Sequence, residues 1–390
     1  MIALADCNNF FVSCELLRRP ELKGKSVCVL SNCDGCVISR SNEAKKEGIA
    51  MGMPLFMAKR EFPNAVYLSS DMPFYLDISD RIRKIFRDFS PSVEVYSVDE
   101  AFMDVTDFDK LYGMTFDEIG KNLHERILKE IGVPVSVGIA NSKVLCKIAA
   151  DIAKKTSFYR FLPNENIDIV FKNYPIEKVW GIGKNTAKKL RSFGIFTVFD
   201  ILQKHTDFFK FHFGKRGLEL RLGLEGFDVI PVNSTAEKPK SVQKTSSFRE
   251  FTNNKEFLKA SVLTHLHNAC KKLRNYNLSA GIIGVMLRTK DFRVIYNTKV
   301  LENNSNSEYF LNKKAAELFE EIYNSETIYR SSGIGLFNLQ DTEIKQLSLF
   351  SQNEKAEKIS AIIDKIENKY GKDSLGWSYK IKSRKTTAVN

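Results

Sequence analysis

A chain of 390 residues with 43% hydrophobic content has room for two to four globular domains with substantial cores. Its 59 Lys plus Arg against 47 Asp plus Glu give a net charge of +12 and a pI near 9.2, which predicts a polyanionic partner, either nucleic acid or a membrane surface. No run approaches the ~18 consecutive apolar residues of a membrane span, Met1-Ile2-Ala3-Leu4-Ala5-Asp6 lacks the basic region of a signal peptide, and seven scattered cysteines suit reduced thiols, so a cytoplasmic protein without a membrane partner is expected.

Ile2-Ala3-Leu4-Ala5 predicts a buried strand ending at Asp6, followed by a helix over 9–18 whose start is marked by Asn8 and Asn9. Short strands over 26–30 and 36–39 and short helices over 41–47 and 55–61 follow, punctuated by Gly48, Gly52, Pro54 and Pro63. Cys33 and Cys36 form a CxxC, but no second pair completes the four ligands of structural zinc, so ordinary thiols are expected. Ile78, Ile82, Ile85, Phe86 and Phe89 keep helical period and mark a core-facing stripe.

Asp99 and Glu100 then fall between runs of strand-forming residues, at a hairpin tip or strand end. Successive strand side chains point to opposite faces, so the pair can serve one ion only if the backbone bends there. A surface hairpin with two solvated acids fits the same pattern. Phe116, Ile119, Leu123 and Ile127 mark another helix before a strand over 135–139, and a helix over 142–154 opposes an apolar face to Lys143, Lys147 and Lys154. This order suits an α+β sheet covered by helices, able to bring Asp6 to Asp99 and Glu100.

Gly181-Ile182-Gly183 opens a Lys-rich helix over 184–192, and Gly194-Ile195 leads to a second over 198–202, the pattern of a helix-hairpin-helix. Its glycines let backbone amides approach a phosphate, with Lys184 and Lys188 beside them. Residues 231–239 read as a linker. Beyond it, strands and helices run in βαββαβ order, the split arrangement, with Lys240, Lys244, Arg249 and Arg288 giving a basic bias suited to a duplex backbone. A solvated sheet fits those lysines and arginines one by one. After Asp341 the chain turns polar except for Gln346-Leu347-Ser348-Leu349-Phe350 and an amphipathic segment with Ile359, Ile362, Ile363, Ile366 and Tyr370.

Three acids able to converge on a basic protein fit a pair of Mg²⁺ ions, for which a few carboxylates plus substrate phosphates suffice. Nucleotidyl transfer and phosphodiester hydrolysis both remain open on that chemistry.

Asp6-Cys7-Asn8-Asn9-Phe10-Phe11, Tyr96-Ser97-Val98-Asp99-Glu100-Ala101-Phe102 and Val137 to Lys143 through Ala153-Lys154 resemble the palm motifs of Y-family DNA polymerases. Leu30 to Ile38 and Val179-Trp180-Gly181-Ile182-Gly183 resemble the UmuC-type members in particular. The likeness covers residues 1–350. It implies an α+β multidomain right hand: a ferredoxin-like palm (1–19 and 76–165), small fingers (20–75), a helix-hairpin-helix thumb (166–232), a linker (233–240), a βαββαβ little finger (241–340) and a tail (341–390). It further implies an error-prone translesion polymerase in DNA damage tolerance and SOS repair, adding dNTPs to the primer strand of primer-template DNA.

The resemblance also assigns residues. Asp6, Asp99, Glu100 and the Cys7 carbonyl would hold two Mg²⁺ ions. Phe11 matches the steric gate against a ribose 2′-hydroxyl, with Phe10 beside it, although a core aromatic is the plain reading of Phe11. Asn42 and Lys45 stand where many relatives carry Tyr and Arg contacts to the triphosphate, and Lys154 matches a further triphosphate contact. Gln346, Leu347, Leu349 and Phe350 resemble a sliding-clamp peptide, and the amphipathic tail resembles a docking segment for a UmuD-type accessory subunit. The rival readings are a two-metal nuclease and a non-catalytic DNA- or clamp-binding protein.

Overall fold

The computed structural model describes residues 1–162, 167–235, 237–342, 353–371 and 374–375. The chain divides into two compact units, Met1–Ala236 and Glu237–Asn390. In the first, β1 (Ile2–Cys7) leads into helix α1 (Phe10–Arg18). A small subdomain follows: β2 (Val27–Leu30), β3 (Val37–Arg40), α2 (Asn42–Lys46), α3 (Leu55–Glu61) and β4 (Val66–Ser69), in sheet order β3-β2-β4. Then come α4 (Met72–Phe89), β5 (Val93–Val95), β6 (Glu100–Asp104), α5 (Phe108–Tyr112), α6 (Phe116–Ile131), β7 (Val135–Ala140), α7 (Lys143–Ala153) and β8 (Phe158–Arg160).

The large sheet runs β5-β6-β1-β7-β8, antiparallel except for the β7-β8 pair. Both faces of β1 are covered, which is why its sequence is a continuous apolar run. Ala3 and Ala5 pack with α1, α4 and α6, whereas Ile2 and Leu4 pack with α7 and the helices that follow β8. Gly138 on β7 makes this close layer possible: a Cβ there would lie 2.4 Å from the Cys146 carbonyl oxygen and the Ala150 nitrogen of α7. Several helix starts carry the side chains their exposed amides need. Ser142 accepts from the Leu145 N–H at the start of α7, and Thr115 with Glu118 forms a capping box on α6.

The first unit ends in four helices, α8 (Asp168–Asn173), α9 (Lys184–Ser192), α10 (Val198–Leu202) and α11 (Thr206–Leu224), the last broken where Gly214 takes a positive φ. Leu190, Ile195, Val198, Ile201 and Phe209 share one core with Val144 and Ile148 of α7, which joins the hairpin helices to the α7-covered face of the sheet.

The second unit is β9 (Val242–Thr252), α12 (Lys255–Asn275), β10 (Leu278–Thr289), β11 (Val294–Ser305), α13 (Glu308–Ile322), β12 (Tyr329–Asp341) and α14 (Asn353–Tyr370). Its sheet order is β11-β10-β12-β9, all antiparallel, so each β-α-β unit straddles a strand of the other, as the split arrangement requires. Leu258, Val262, Leu266, Leu311, Leu318 and Phe319 cover one sheet face. Among the described residues no helix is long and apolar enough to cross a membrane.

Candidate active site

Asp6 and Glu100 are directly opposite each other in the β1-β6 register, and Leu4 and Phe102 are opposite each other two residues back. Cross-strand partners project from the same face. Leu4 and Phe102 are buried in the α7-side core, so the two acids emerge at the edge of that core, facing α7. The backbone leaves strand geometry over 97–99, where the sequence pattern requires a bend if the acid pair is to act together. Tyr96 and Ser97 N–H groups both donate to the Glu100 carbonyl at 3.1 Å, the Cys7 N–H donates to the Asp99 carbonyl at 2.9 Å, and Ser79 of α4 bonds the Val98 carbonyl. Asp99 is thereby turned into the same cleft as Asp6.

That cleft has a volume of about 300 Å³. Asp6, Cys7 and Asp99 lie along one side, Asn9, Phe10 and Phe11 along the next, and Ile38, Ser39, Arg40, Asn42, Lys45 and Met51 of the small subdomain form the facing wall, with Lys154 at the rim. The Cys7 thiol is buried in the opposite core, so the main chain is what this residue can offer to the cleft.

Each acid has its own partner. Lys154 Nζ is 3.5 Å from Asp6, Lys147 Nζ is 2.7 Å from Glu100, and the Ser97 hydroxyl donates to Asp99. The sequence expectation that the three acids gather is met at the level of the strand edge only: among the described residues no three side chains are already collected around one metal position. The donor set nevertheless fits a hard divalent cation, being carboxylate and carbonyl oxygen. Burial pushes the Asp6 carboxyl up to about 6; Lys154 opposes the rise, and Glu100 and Asp99 add to it. A cation beside these crowded carboxylates would relieve that repulsion.

Phe11 is half-buried and stacks on Tyr75, ring centroids 4.8 Å apart, while Tyr75 donates to the buried Glu15 at 2.7 Å. The ring thus packs on the core and also lines the cleft. Phe10 borders the cleft, but only 3% of it is exposed and its ring belongs to the core. Asn9, at φ 50°, receives a hydrogen bond from Lys45 and donates at 3.0 Å to Asn42, tying the start of α1 to α2. Burial, together with nearby Arg40 and Lys154, holds the Lys45 ammonium below its usual pKa. Cations that crowd a cleft over a carboxylate edge suit a polyanionic ligand bridging both.

Gly181, at φ 92°, and Gly183 are exposed in the turn before α9, with Lys184 and Lys188 exposed beside them. In the second unit Lys240 and Arg249 are exposed, and Arg288 is on the sheet face that the helices leave uncovered. Lys244 is not on that face. It pairs with the core residue Ile334 on the helix-covered side and stands near His265, because strand alternation sends residues 242, 244 and 246 inward. The middle of the uncovered face is Ile282, Gly284, Met286, Gly333, Gly335 and Phe337, less charged than the sequence suggests. Gln346, Leu347, Leu349 and Phe350 lie outside the described residues.

Sequence reading passed over Lys147, Asn9, Arg40 and Tyr75. Lys147 was visible as one of three lysines on one face of α7, and Arg40 as a cation on the same face of β3 as Ile38; only the fold places Lys147 against Glu100 and Arg40 in the cleft wall.

The sequence matches the impB/mucB/samB family over residues 5–151 and that family's C-terminal domain over residues 239–349. It is 31% identical to Protein UmuC of Salmonella typhimurium over 96% of this chain and 92% of that protein. It is 34% identical to DNA polymerase IV of Dehalococcoides mccartyi over 97% of both chains. Among solved structures it resembles a Y-family DNA polymerase chimera, Dbh-Dpo4(243-245)-Dbh, with TM-score 0.72, 28% identity and coverage of 87% of this chain and 100% of that one. An insertion ternary complex of Dbh DNA polymerase matches with TM-score 0.59, 27% identity and the same coverage.

Proposed function

The chain belongs to the impB/mucB/samB family and is a Y-family translesion DNA polymerase, and from that premise we propose how its own residues divide the work of adding dNTPs to a primer 3′ end. Residues 1–19 and 76–165 act as palm, 20–75 as fingers, 166–232 as thumb, 233–240 as linker and 241–340 as little finger. This membership sets aside the nuclease and the non-catalytic readings.

Like the family, the enzyme depends on divalent metal. Asp6, Asp99, Glu100 and the Cys7 carbonyl are assigned as the residues that hold two Mg²⁺ ions, which when bound activate the primer hydroxyl and neutralise charge on the leaving pyrophosphate. Lys45 and Asn42 hold the triphosphate from the opposite side of the cleft, and Lys154 holds it from the rim beside Asp6. Lys45 offers a point charge, so it neutralises without fixing the phosphate geometry as a guanidinium fork would. Phe11, braced by Tyr75, occupies the space a ribose 2′-hydroxyl would need. The amides of Gly181 and Gly183 with Lys184 and Lys188 grip duplex phosphates, and Lys240, Lys244, Arg249 and Arg288 supply further positive charge, Lys244 at longer range.

The observation that carries this assignment is the Asp6-Glu100 register, with Asp99 turned into the same cleft under a cationic wall. Primer extension on a primed template with Mg²⁺ and dNTPs tests it. Wild type should extend, and Asp99→Ala and Glu100→Ala should not while still binding primer-template. Unimpaired extension by either variant would overturn the assignment.

Gln346, Leu347, Leu349 and Phe350 are assigned to a sliding clamp, and the amphipathic tail to a UmuD-type subunit, as the UmuC relative suggests. Deleting 346–350 should leave distributive synthesis intact and remove stimulation by clamp. Free thiols at all seven cysteines suit a cytoplasmic setting.

A further inference from the structure

Lys147 has a second set of contacts that the ion pair with Glu100 does not explain. Its ammonium is 2.7 Å from Glu100 Oε1 and only 15% of its side chain is exposed. The same nitrogen lies 4.5 Å from the centre of the Tyr96 ring and 5.8 Å from that of Phe102. Tyr96 in turn accepts a 2.9 Å hydrogen bond from the Trp180 indole N–H, and the two rings meet edge to face at 5.9 Å. Trp180 immediately precedes the exposed turn Gly181-Ile182-Gly183. A continuous chain of contacts thus runs from an acid at the catalytic edge to the hairpin that opens α9.

We propose that Lys147 is a positioning residue that serves Glu100 as a surrogate cation and, when a divalent ion takes that carboxylate, shifts toward the Tyr96 face, so that metal loading is registered at Trp180 and the thumb hairpin. This rests on the assignment of Glu100 as a metal ligand. An ammonium and a divalent ion cannot both sit against one carboxylate without repulsion, and the ammonium needs a new partner when displaced. The electron-rich face of Tyr96 is the one already in place. Tyr96 cannot change its tilt without altering the hydrogen bond to Trp180. The hairpin is thereby coupled to the occupancy of the active site, and by reciprocity duplex held at the hairpin alters metal affinity at Glu100 by the same factor.

The test uses the full chain with Trp377→Phe, which leaves Trp180 as the single tryptophan, bound to a primer-template without dNTP. Mg²⁺ is titrated while Trp180 emission is followed, and Mn²⁺ binding is measured in parallel by electron paramagnetic resonance. In wild type Mg²⁺ should shift the Trp180 emission. Lys147→Met should tighten Mn²⁺ binding roughly three- to tenfold, since the competing ammonium is gone, and abolish the emission change; Lys147→Arg should restore it. Tyr96→Phe keeps the aromatic face but loses the Trp180 bond, so it should bind Mn²⁺ as wild type does with a silent Trp180. A wild-type Trp180 that ignores Mg²⁺, a Lys147→Met variant with wild-type Mn²⁺ affinity, or a Tyr96→Phe variant with a full emission change each overturns the proposal. Glu100→Gln separates the premise: if it leaves Mn²⁺ binding unchanged the ligand assignment fails, whereas weakened binding alongside any of those three outcomes condemns the relay alone.

Discussion

Asp6 and Glu100 face each other across β1 and β6, two residues along the register from the buried pair Leu4 and Phe102. The acids therefore sit where a two-sided core ends and solvent begins, on a rigid support that does not depend on their charge. Asp6→Asn should fold with wild-type stability or better, because it removes a crowded, buried carboxylate, whereas Glu100→Gln leaves Lys147 without its carboxylate partner and should fold with some loss of stability. Each should lower the rate of single-nucleotide insertion on the order of 10³-fold, the scale expected when preorganised charge at a reacting centre is lost. Rapid-quench insertion assays beside urea unfolding curves check both halves.

Phe11 is held by Tyr75, whose hydroxyl is fixed in turn by Glu15. Phe11→Ala should reduce discrimination against ribonucleotides on the order of a hundredfold, since a hydrophobic wall that excludes one hydroxyl supplies only a few kcal/mol. Tyr75→Leu leaves Phe11 in place but removes its stacking partner, so it should give a smaller loss of discrimination in the same direction. Ratios of kcat/KM for rNTP and dNTP measure this; unchanged selectivity in Phe11→Ala would remove Phe11 from the gate.

His265 is buried between Ser246 and Ser261, and burial, with Lys244 adding repulsion, depresses its pKa to about 4. The unfolded chain takes up a proton near pH 6.5; the folded chain resists until about 4. The native state therefore binds fewer protons across that window, and the contribution is complete above pH 6.5 and lost as pH falls toward 4. At full extent it amounts to roughly 3 kcal/mol. Urea unfolding at pH 7.5 and 5 should show a wild-type loss that is smaller by about 2 kcal/mol in His265→Gln.

Much of this arrangement was legible in the sequence. The apolar run before Asp6 signals a strand buried on both faces, and the stripe from Ile78 to Phe89 signals α4, because in both cases burial dictates residue type. The pairing of Asp6 with Glu100 was not legible, since register joins positions 94 residues apart in the chain and depends on β6 lying between β5 and β1. Short elements escaped for local reasons. The strands β4 and β8 are three or four residues long and join by parallel pairing, too short to show a period. In α11 the aromatics Phe208, Phe209, Phe211 and Phe213 fall within six residues and point around the helix, and Gly214 breaks it, so no 3.6-residue repeat survives. In sequence Lys147 looks no different from Lys143 and Lys154 until the fold brings Glu100 beside it.

The contact of α14 with the second unit supplies the last prediction. His267, 1% exposed, has Nδ1 2.7 Å from Glu308 and Nε2 3.2 Å from Glu367, and both glutamates are equally buried. Lys271 reaches Glu367 at 2.9 Å, and Arg274 reaches Asp364 at 2.6 Å and Glu308 at 3.4 Å, so α14 is fastened to α12 and α13 through a polar network whose centre, His267 with the two glutamates, is buried. Buried networks are costly to break from one side, because the partners left behind have no solvent to turn to. His267→Leu should destabilise the second unit by roughly 3 kcal/mol, part of the loss being offset by Lys271 and Arg274. Glu367→Gln should cost less, since an amide can still accept from His267. The double variant should be less destabilised than the sum of the two, because they share one interaction. Additive unfolding energies would show that His267 and Glu367 are not coupled.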